Sequence, residues 1–335
     1  MRDVAARAGV SRALVSIVVR GASGASAQTR ERVLRAAADL GYRPDHRARM
    51  LRRTRSQLLG VMFGVQHAFH GDLVEGVYAA AEPAGYDVVL SAVAPSRDER
   101  RAVESLLDDR CEALILLGPQ ASAAQLAELG RRLPVVVVAR RLRDAPVDVV
   151  RTADDEGMRQ AVDHLVGLGH RAIVHIDGGR APGAADRRRG YRTSMRRQGL
   201  GDHSRVVAGG LTEEAGALAA RLLLAEPALP SAITVFNDRC ATGVLDTFIR
   251  AGVAVPGGVS VVGYDDSRLA RLTHLNLTTV GQDAALMADL AVGRAVARMT
   301  GERIDDREIV LPPRLVVRGT TAPPPATNPL SQRPT

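Results

Sequence analysis

The chain has no lysine and no tryptophan, and only four phenylalanines and two cysteines in 335 residues. Without lysine, all 45 basic residues are arginine. Beside so much alanine this reads as codon bias, although the planar arginine fork also suits phosphate and guanine contacts. The two isolated thiols, Cys111 and Cys240, exclude a disulfide scaffold and point to a reducing compartment. Both stand among core-like residues and read as buried and structural. No run approaches the roughly 18 uncharged apolar residues of a membrane span. The start, Met1-Arg2-Asp3-Val4-Ala5-Ala6-Arg7, has no apolar stretch of the kind a signal peptide needs. A soluble cytoplasmic protein is therefore expected.

Chemistry-bearing constellations are equally scarce. His67 and His70 are three apart but have no acidic or cysteine partner at useful spacing, so they read as loop polarity rather than metal ligands. Gly178-Gly179 and Gly209-Gly210 follow strands without forming a phosphate-binding fingerprint. No nucleophile–base set stands out. Neither a cofactor nor a metal is expected.

What is present is a lopsided charge. Residues 1–55 hold 13 arginines against four acidic residues, a net +9, while the remainder carries −1 of the total +8. A short basic head on a near-neutral body suits a protein that meets a polyanion with one small module. Nucleic acid fits best, because neutralising phosphates supplies sequence-independent affinity.

The head reads as three short helices. Arg2 to Ala8 presents Val4, Ala5 and Ala8 on one face. Gly9 permits a left-handed turn, Val10 plugs the corner and Ser11 caps the next helix. Arg12 to Arg20 has an apolar side of Leu14, Val15, Val18 and Val19, and a second face of Arg12, Ala13, Ser16, Ile17 and Arg20. After a looser Gly21 to Ala25, Ser26 caps a third helix with Val33, Ala37 and Leu40 as its stripe, ended by Gly41 and Pro44. Such a mini-core leaves the second helix free to enter a major groove. An all-helical interaction module is the alternative on spacing alone.

These residues carry a resemblance. Asp3-Val4-Ala5, Ala8-Gly9-Val10-Ser11, Val15-Ser16, Thr29-Arg30-Glu31-Arg32-Val33 and Leu40-Gly41-Tyr42-Arg43-Pro44 resemble the headpiece of the LacI/GalR family of bacterial transcriptional regulators. The resemblance implies DNA contact by Ser11, Arg12, Ala13, Ser16, Ile17 and Arg20, and by Thr29, Arg30 and Tyr42. Two positions depart from it. The threonine that caps the first helix in that family is missing, which suggests a start upstream of Met1. Ile17 stands where a polar or basic residue is common; it cannot hydrogen-bond a base edge but can pack on a thymine methyl.

The basic segment from Asp45 to Arg55 reads by itself as a solvated linker. The resemblance implies a hinge helix that folds on DNA and pushes Leu51 into the minor groove, flanked by Arg47 and Ala48, and that is partly disordered without DNA.

From Leu58 onward, apolar runs alternate with helical stretches. Strands are expected at Leu58–Phe63, Asp87–Leu90, Ala113–Leu117 and Val135–Val138, and again at Ala172–Ile176, Arg205–Ala208, Ala232–Phe236 and Val259–Gly263. Helices are expected at Leu73–Ala84 (cut short by Pro83), Arg97–Asp108, Ala123–Arg131, Gly157–Leu168, Arg187–Gln198, Glu213–Leu224 and Cys240–Ala251. That pattern gives two similar doubly wound α/β lobes of parallel strands with a ligand cleft between them. This body resembles the periplasmic-binding-protein-like effector domain of the same family, through Leu168-Gly169-His170-Arg171, Arg187-Arg188-Arg189-Gly190-Tyr191, Asn237-Asp238 and Gly263-Tyr264-Asp265-Asp266. The resemblance implies effector contacts by Arg187, Asp265 and Asn237, with Gln282 as a further candidate and Phe69, Phe236 and Tyr264 as remaining aromatic surfaces. Asn237 also reads as a plain helix cap. An acidic ligand contact of the family is missing where this chain has Ala153, with Asp154 beside it.

The expected organisation is a headpiece at 1–44, a hinge at 45–55, a two-lobed effector domain at 56–322 and a disordered tail, with disorder setting in after Val317. No leucine heptads follow, so a homodimer rather than a tetramer is expected. The resulting expectation is a dimeric regulator of a palindromic operator, controlled by a sugar, polyol, nucleoside or phosphorylated metabolite. The rivals are an α/β enzyme with a basic appendage and an extracytoplasmic solute-binding protein.

Overall fold

The apolar spacing of the first 42 residues closes three helices on one another: α1 (Arg2–Ala8), α2 (Arg12–Val19) and α3 (Ala27–Asp39). The computed structural model describes residues 1–19, 22–42, 55–142 and 146–325. Val4, Ala8, Val15, Val18, Val33 and Ala36 form the mini-core. Gly9 turns at φ 60° between α1 and α2, where a side chain would be strained. Ser11 Oγ accepts from Leu14 N at 3.2 Å, and Ser26 Oγ accepts from Thr29 N at 3.2 Å. One expectation fails. Leu40 is 43% exposed rather than part of the stripe, because α3 ends at Asp39 and Leu40 is its C-cap; Ala36 takes the buried position instead.

The chain divides into two compact units, Met1–Ser56 and Gln57–Thr335. In the second, the first lobe is built on β1 (Leu58–Gly64), β2 (Asp87–Val93), β3 (Ala113–Leu117), β4 (Val135–Val138) and β5 (Asp148–Thr152), with helices α4 (Ala68–Ala81), α5 (Glu99–Asp108) and α6 (Ala123–Gly130). The second lobe holds α7 (Asp154–Gly167), β6 (Ile173–Asp177), α8 (Ala184–Arg197), β7 (Arg205–Ala208), α9 (Glu213–Leu224), β8 (Ala232–Val235), α10 (Asp238–Arg250), β9 (Ser260–Asp265) and β10 (Thr278–Gly281). The chain then returns through α11 (Ala284–Met299) and β11 (Glu308–Leu311) to the first lobe, and through β12 (Arg314–Val316) to the second.

The two six-stranded sheets run β11-β5-β4-β3-β1-β2 and β12-β10-β9-β8-β6-β7. Their pairs are parallel except β10 with β12. The lobes are therefore not sequential halves, as the repeat of the pattern predicts, but are joined by three crossovers. Met287, Ala291 and Val292 of α11 pack into the core of the first lobe beside Leu73 and Val77 of α4.

Among the elements missing from the sequence reading, β5 is short and carries buried charge. In β5, Asp148 accepts from Arg298 at 2.7 and 2.9 Å, and Arg151 donates to Glu308 of β11 at 2.6 Å. These partners come from far along the chain, so the strand shows no apolar signal of its own. Residues 318–322 are another correction, for they are bonded in place rather than disordered; residues 326–335 lie outside the described residues. Val261 N donates to Thr320 O at 2.8 Å, Thr320 Oγ1 donates to Val261 O at 2.7 Å, and Ser260 Oγ donates to Ala322 O at 3.0 Å.

Candidate functional site

Parallel strands deliver their C-terminal ends to one edge of each sheet, and ligand sites gather there. At this edge Arg187, in the first turn of α8, is 6% exposed. Its Nε donates to Asp154 Oδ1 at 2.8 Å and its Nη1 donates to the Phe236 carbonyl at 2.6 Å. Asp265 Oδ1 lies 3.5 Å away. The guanidinium carbon sits 3.6 Å from the Tyr264 ring centroid and 4.8 Å from that of Phe236. Burial works against the arginine's charge, but Asp154 and Asp265 outweigh it and hold its pKa above the ordinary value. Two glycines make room for this arrangement: a Cβ on Gly178 would overlap the Phe236 ring, and one on Gly157 would meet the Tyr264 hydroxyl.

Asp265 closes β9 at φ 116°, with Asp266 at φ 52°. Non-glycine residues in that region store strain, as functional sites often do. Asp265 Oδ1 accepts from Gln282 Nε2 at 2.8 Å, so Gln282, at the second crossover, reaches the same cluster. Burial pushes the Asp265 carboxyl up to about 8, Arg187 offsetting only part of it. Asn237 lines the cleft, yet its Oδ1 accepts from Cys240 N at 2.8 Å and its Nδ2 donates to Leu211 O at 3.2 Å. It caps α10, and the capping reading is the one its bonds express. Phe69 of α4 and Phe236 stand on opposite lobes around a space of about 30 Å³.

The sequence reading gave Asp154, His67 and His70 no part in the cleft. Asp154 does not line it but holds Arg187 there through the 2.8 Å bond. His67 and His70 line the same space, stacked with ring centroids 4.3 Å apart and 7° between planes. Burial, then Arg187 and Arg239, push His67 down to about 4; burial, then His67, hold His70 well below the usual imidazole range. Both are neutral at pH 7. Their place just past the end of β1 is the signal that finds them. Contacts across the cleft join the lobes: Arg239 Nη1 donates to Gln66 O at 3.0 Å, and Arg268 pairs with Asp72 and Glu75.

In the headpiece, Ser11, Arg12 and Ala13 are exposed, and Ser16 and Ile17 are half-buried. Thr29 accepts from Ser26 Oγ at 2.9 Å, and Arg30 donates to Ala22 O at 2.9 Å, so both brace the α2–α3 connection. Tyr42 packs against the mini-core. Arg20, Arg47, Ala48 and Leu51 lie outside the described residues. Among the described residues no group of three or more His, Cys, Asp or Glu could hold a metal ion, and no helix is long and apolar enough to cross a membrane.

Comparison with known proteins meets this geometry from outside. Residues 1–45 match the family model "Bacterial regulatory proteins, lacI family", and residues 162–321 match "Periplasmic binding protein-like domain". The chain is 32% identical over 310 residues to the HTH-type transcriptional regulator AscG of Escherichia coli (strain K12), covering 90% of this chain and 92% of that one. A LacI transcriptional regulator from a Rhodococcus species is 53% identical, with a TM-score of 0.76, covering 80% of this chain and 99% of that structure. The lac repressor dimer bound to operator and the anti-inducer ONPF is 30% identical, with a TM-score of 0.80, covering 96% and 98%. These relatives are regulators, not enzymes. The chain belongs to the LacI/GalR family of bacterial transcriptional regulators, DNA-binding proteins with a helix-turn-helix headpiece and a two-lobed effector domain.

Proposed function

We propose that this protein is a cytoplasmic homodimeric repressor whose operator affinity is set by an uncharged polyhydroxyl effector, a sugar or a related polyol, held between the lobes. The observation that carries this reading is the buried Arg187 cluster, in which one cation is already matched by Asp154 and the Phe236 carbonyl, with Asp265 beside it. Such a cluster has no uncommitted positive charge for an anionic ligand. It does offer acceptors and donors at spacings that suit hydroxyls, with the faces of Phe69 and Phe236 as apolar walls. A phosphorylated metabolite is disfavoured on the same ground.

In this reading Ser11, Arg12, Ala13, Ser16, Ile17 and Arg20 meet the major groove, Thr29, Arg30 and Tyr42 support that helix and reach the backbone, and Arg47, Ala48 and Leu51 form the minor-groove hinge. Arg187, Asp265, Gln282, Asn237, Phe69 and Phe236 face the effector, with Asp154 holding Arg187. Two-fold symmetry of the dimer would match a roughly palindromic operator. The ligand shifts DNA affinity only by the difference in its affinity for the two states. The test is titration of a sugar panel into the full-length protein on a selected duplex. Release of DNA by one sugar, lost in Arg187→Ala while DNA binding persists, is the expected result; equal loss of both activities would sink the division of roles.

A further inference from the structure

His67 and His70 face two spaces rather than one. On one side is the small polar cleft at Arg187. On the other, within the first lobe, is a chamber of about 620 Å³ between α5 and α6. Its walls are apolar: Met62 and Leu116 from the sheet, Val103 and Leu107 from α5, Leu126 and Leu129 from α6. Asp98, Glu99, Glu104 and Glu128 stand around it, with Arg100 and Arg132. The chamber is of the size that holds a small organic molecule, and apolar lining is what such sites use for affinity.

The two rings are held differently. His70 Nδ1 accepts from Gly64 N at 3.0 Å, which anchors it. His67 sits at the start of α4, where its side chain makes no capping bond to the helix. Gly64 leaves the space that the His67 ring occupies, and Gly118, at φ 52°, brings the end of β3 close to His70 and to Pro182 of the other lobe. The two stacked rings therefore stand between the cleft and the chamber.

We propose that the chamber is a second half of the effector site, taking an uncharged apolar substituent, such as the aglycone of a glycoside, whose polar part sits at Arg187. This rests on the effector reading above and names the ligand class more narrowly. The four acidic residues around the chamber outnumber its two arginines and so disfavour an anionic substituent, and its apolar walls disfavour a second sugar unit. His67, between the cleft and the chamber, is then a specificity-determining residue for ligands carrying such a group.

The test is calorimetric titration of the full-length protein with common free aldohexoses and aldopentoses and, in parallel, with their α- and β-4-nitrophenyl glycosides. The glycoside of a sugar that binds is expected to bind at least about tenfold tighter than the free sugar, the gain that burial of an aryl ring gives. Leu129→Gln, which puts an amide on the chamber wall, and Val103→Phe, which fills the space, should each remove that gain while leaving the free-sugar affinity within about twofold. Having both variants keeps the test alive if one fails to fold. Free sugars that bind with no gain from the aryl group, or a gain that survives both substitutions, would overturn the chamber and leave the effector reading standing. Failure of every free sugar and every glycoside to bind would overturn the effector reading, and the chamber with it.

Discussion

Arg187 is the residue on which the cleft depends, and its environment makes the consequence of removing it specific. Arg187→Ala leaves Asp154 and Asp265 buried without their cation, and an uncompensated buried charge is strongly destabilising. Because Asp265 is already pushed toward the protonated form, the loss should fall at the low end, about 3 kcal/mol. It should appear in urea melts of the effector domain and vanish from effector titrations, with headpiece–DNA affinity retained. Two cleft groups predict opposite pH trends. His67 has its folded pKa lowered from 6.5 to about 4, so its contribution is full above pH 6.5 and is lost as pH falls toward 4. Asp265 has its folded pKa raised from 3.8 to about 8, so its contribution is full below 3.8 and is lost as pH rises through 8. Stability measured from pH 4 to 9 should flatten on the acid side in His67→Gln and on the alkaline side in Asp265→Asn; unchanged slopes would contradict these assignments. Arg187 and Asp265 were legible because each stands in a recognisable run. Asp154 and the two histidines were not, because what recruits them is a fold-level meeting of a crossover and a strand end.

At the scale of elements, the regular βα units were legible because their strands are nearly all apolar and their helices are periodic. Ala113–Leu117 and Val135–Val138 are buried throughout. The crossover elements β5, α11 and β11 were not, because their identity depends on partners 130 or more residues away, as Asp148 with Arg298 and Thr152 with Met287 show. Tight contacts between elements give a sharp test. Gly178→Val would drive a side chain into the Phe236 ring, and overpacking of that kind costs about 1–3 kcal/mol. Because Phe236 also presents its carbonyl and ring to Arg187, the variant should lose effector affinity along with stability. A variant that melts as the wild type does would show that the ring is not held as described.

For the whole molecule, the exposed apolar side chains offer a test of where a second copy would pack. Leu218 and Leu222 of α9 and Ile249 of α10 are 55%, 51% and 64% exposed. Leu218 and Leu222, four apart, share one exposed face of α9, and that helix is held rigidly against α10 where Gly216 lies on the Cys240 carbonyl. Large exposed apolar patches mark association surfaces. Leu222→Arg should yield monomers in sedimentation, and DNA affinity should fall with the loss of paired headpieces; a dimer that survives would place the interface elsewhere.

The central claim, that a basic three-helix headpiece reads sequence as one half of a symmetric pair, is tested most directly by selecting bound duplexes from a random DNA pool with the full-length protein at stated salt. The account predicts enrichment of a short palindrome, with Leu51→Ala weakening binding to that sequence far more than to random duplex. Binding that is salt-sensitive but blind to sequence would contradict it.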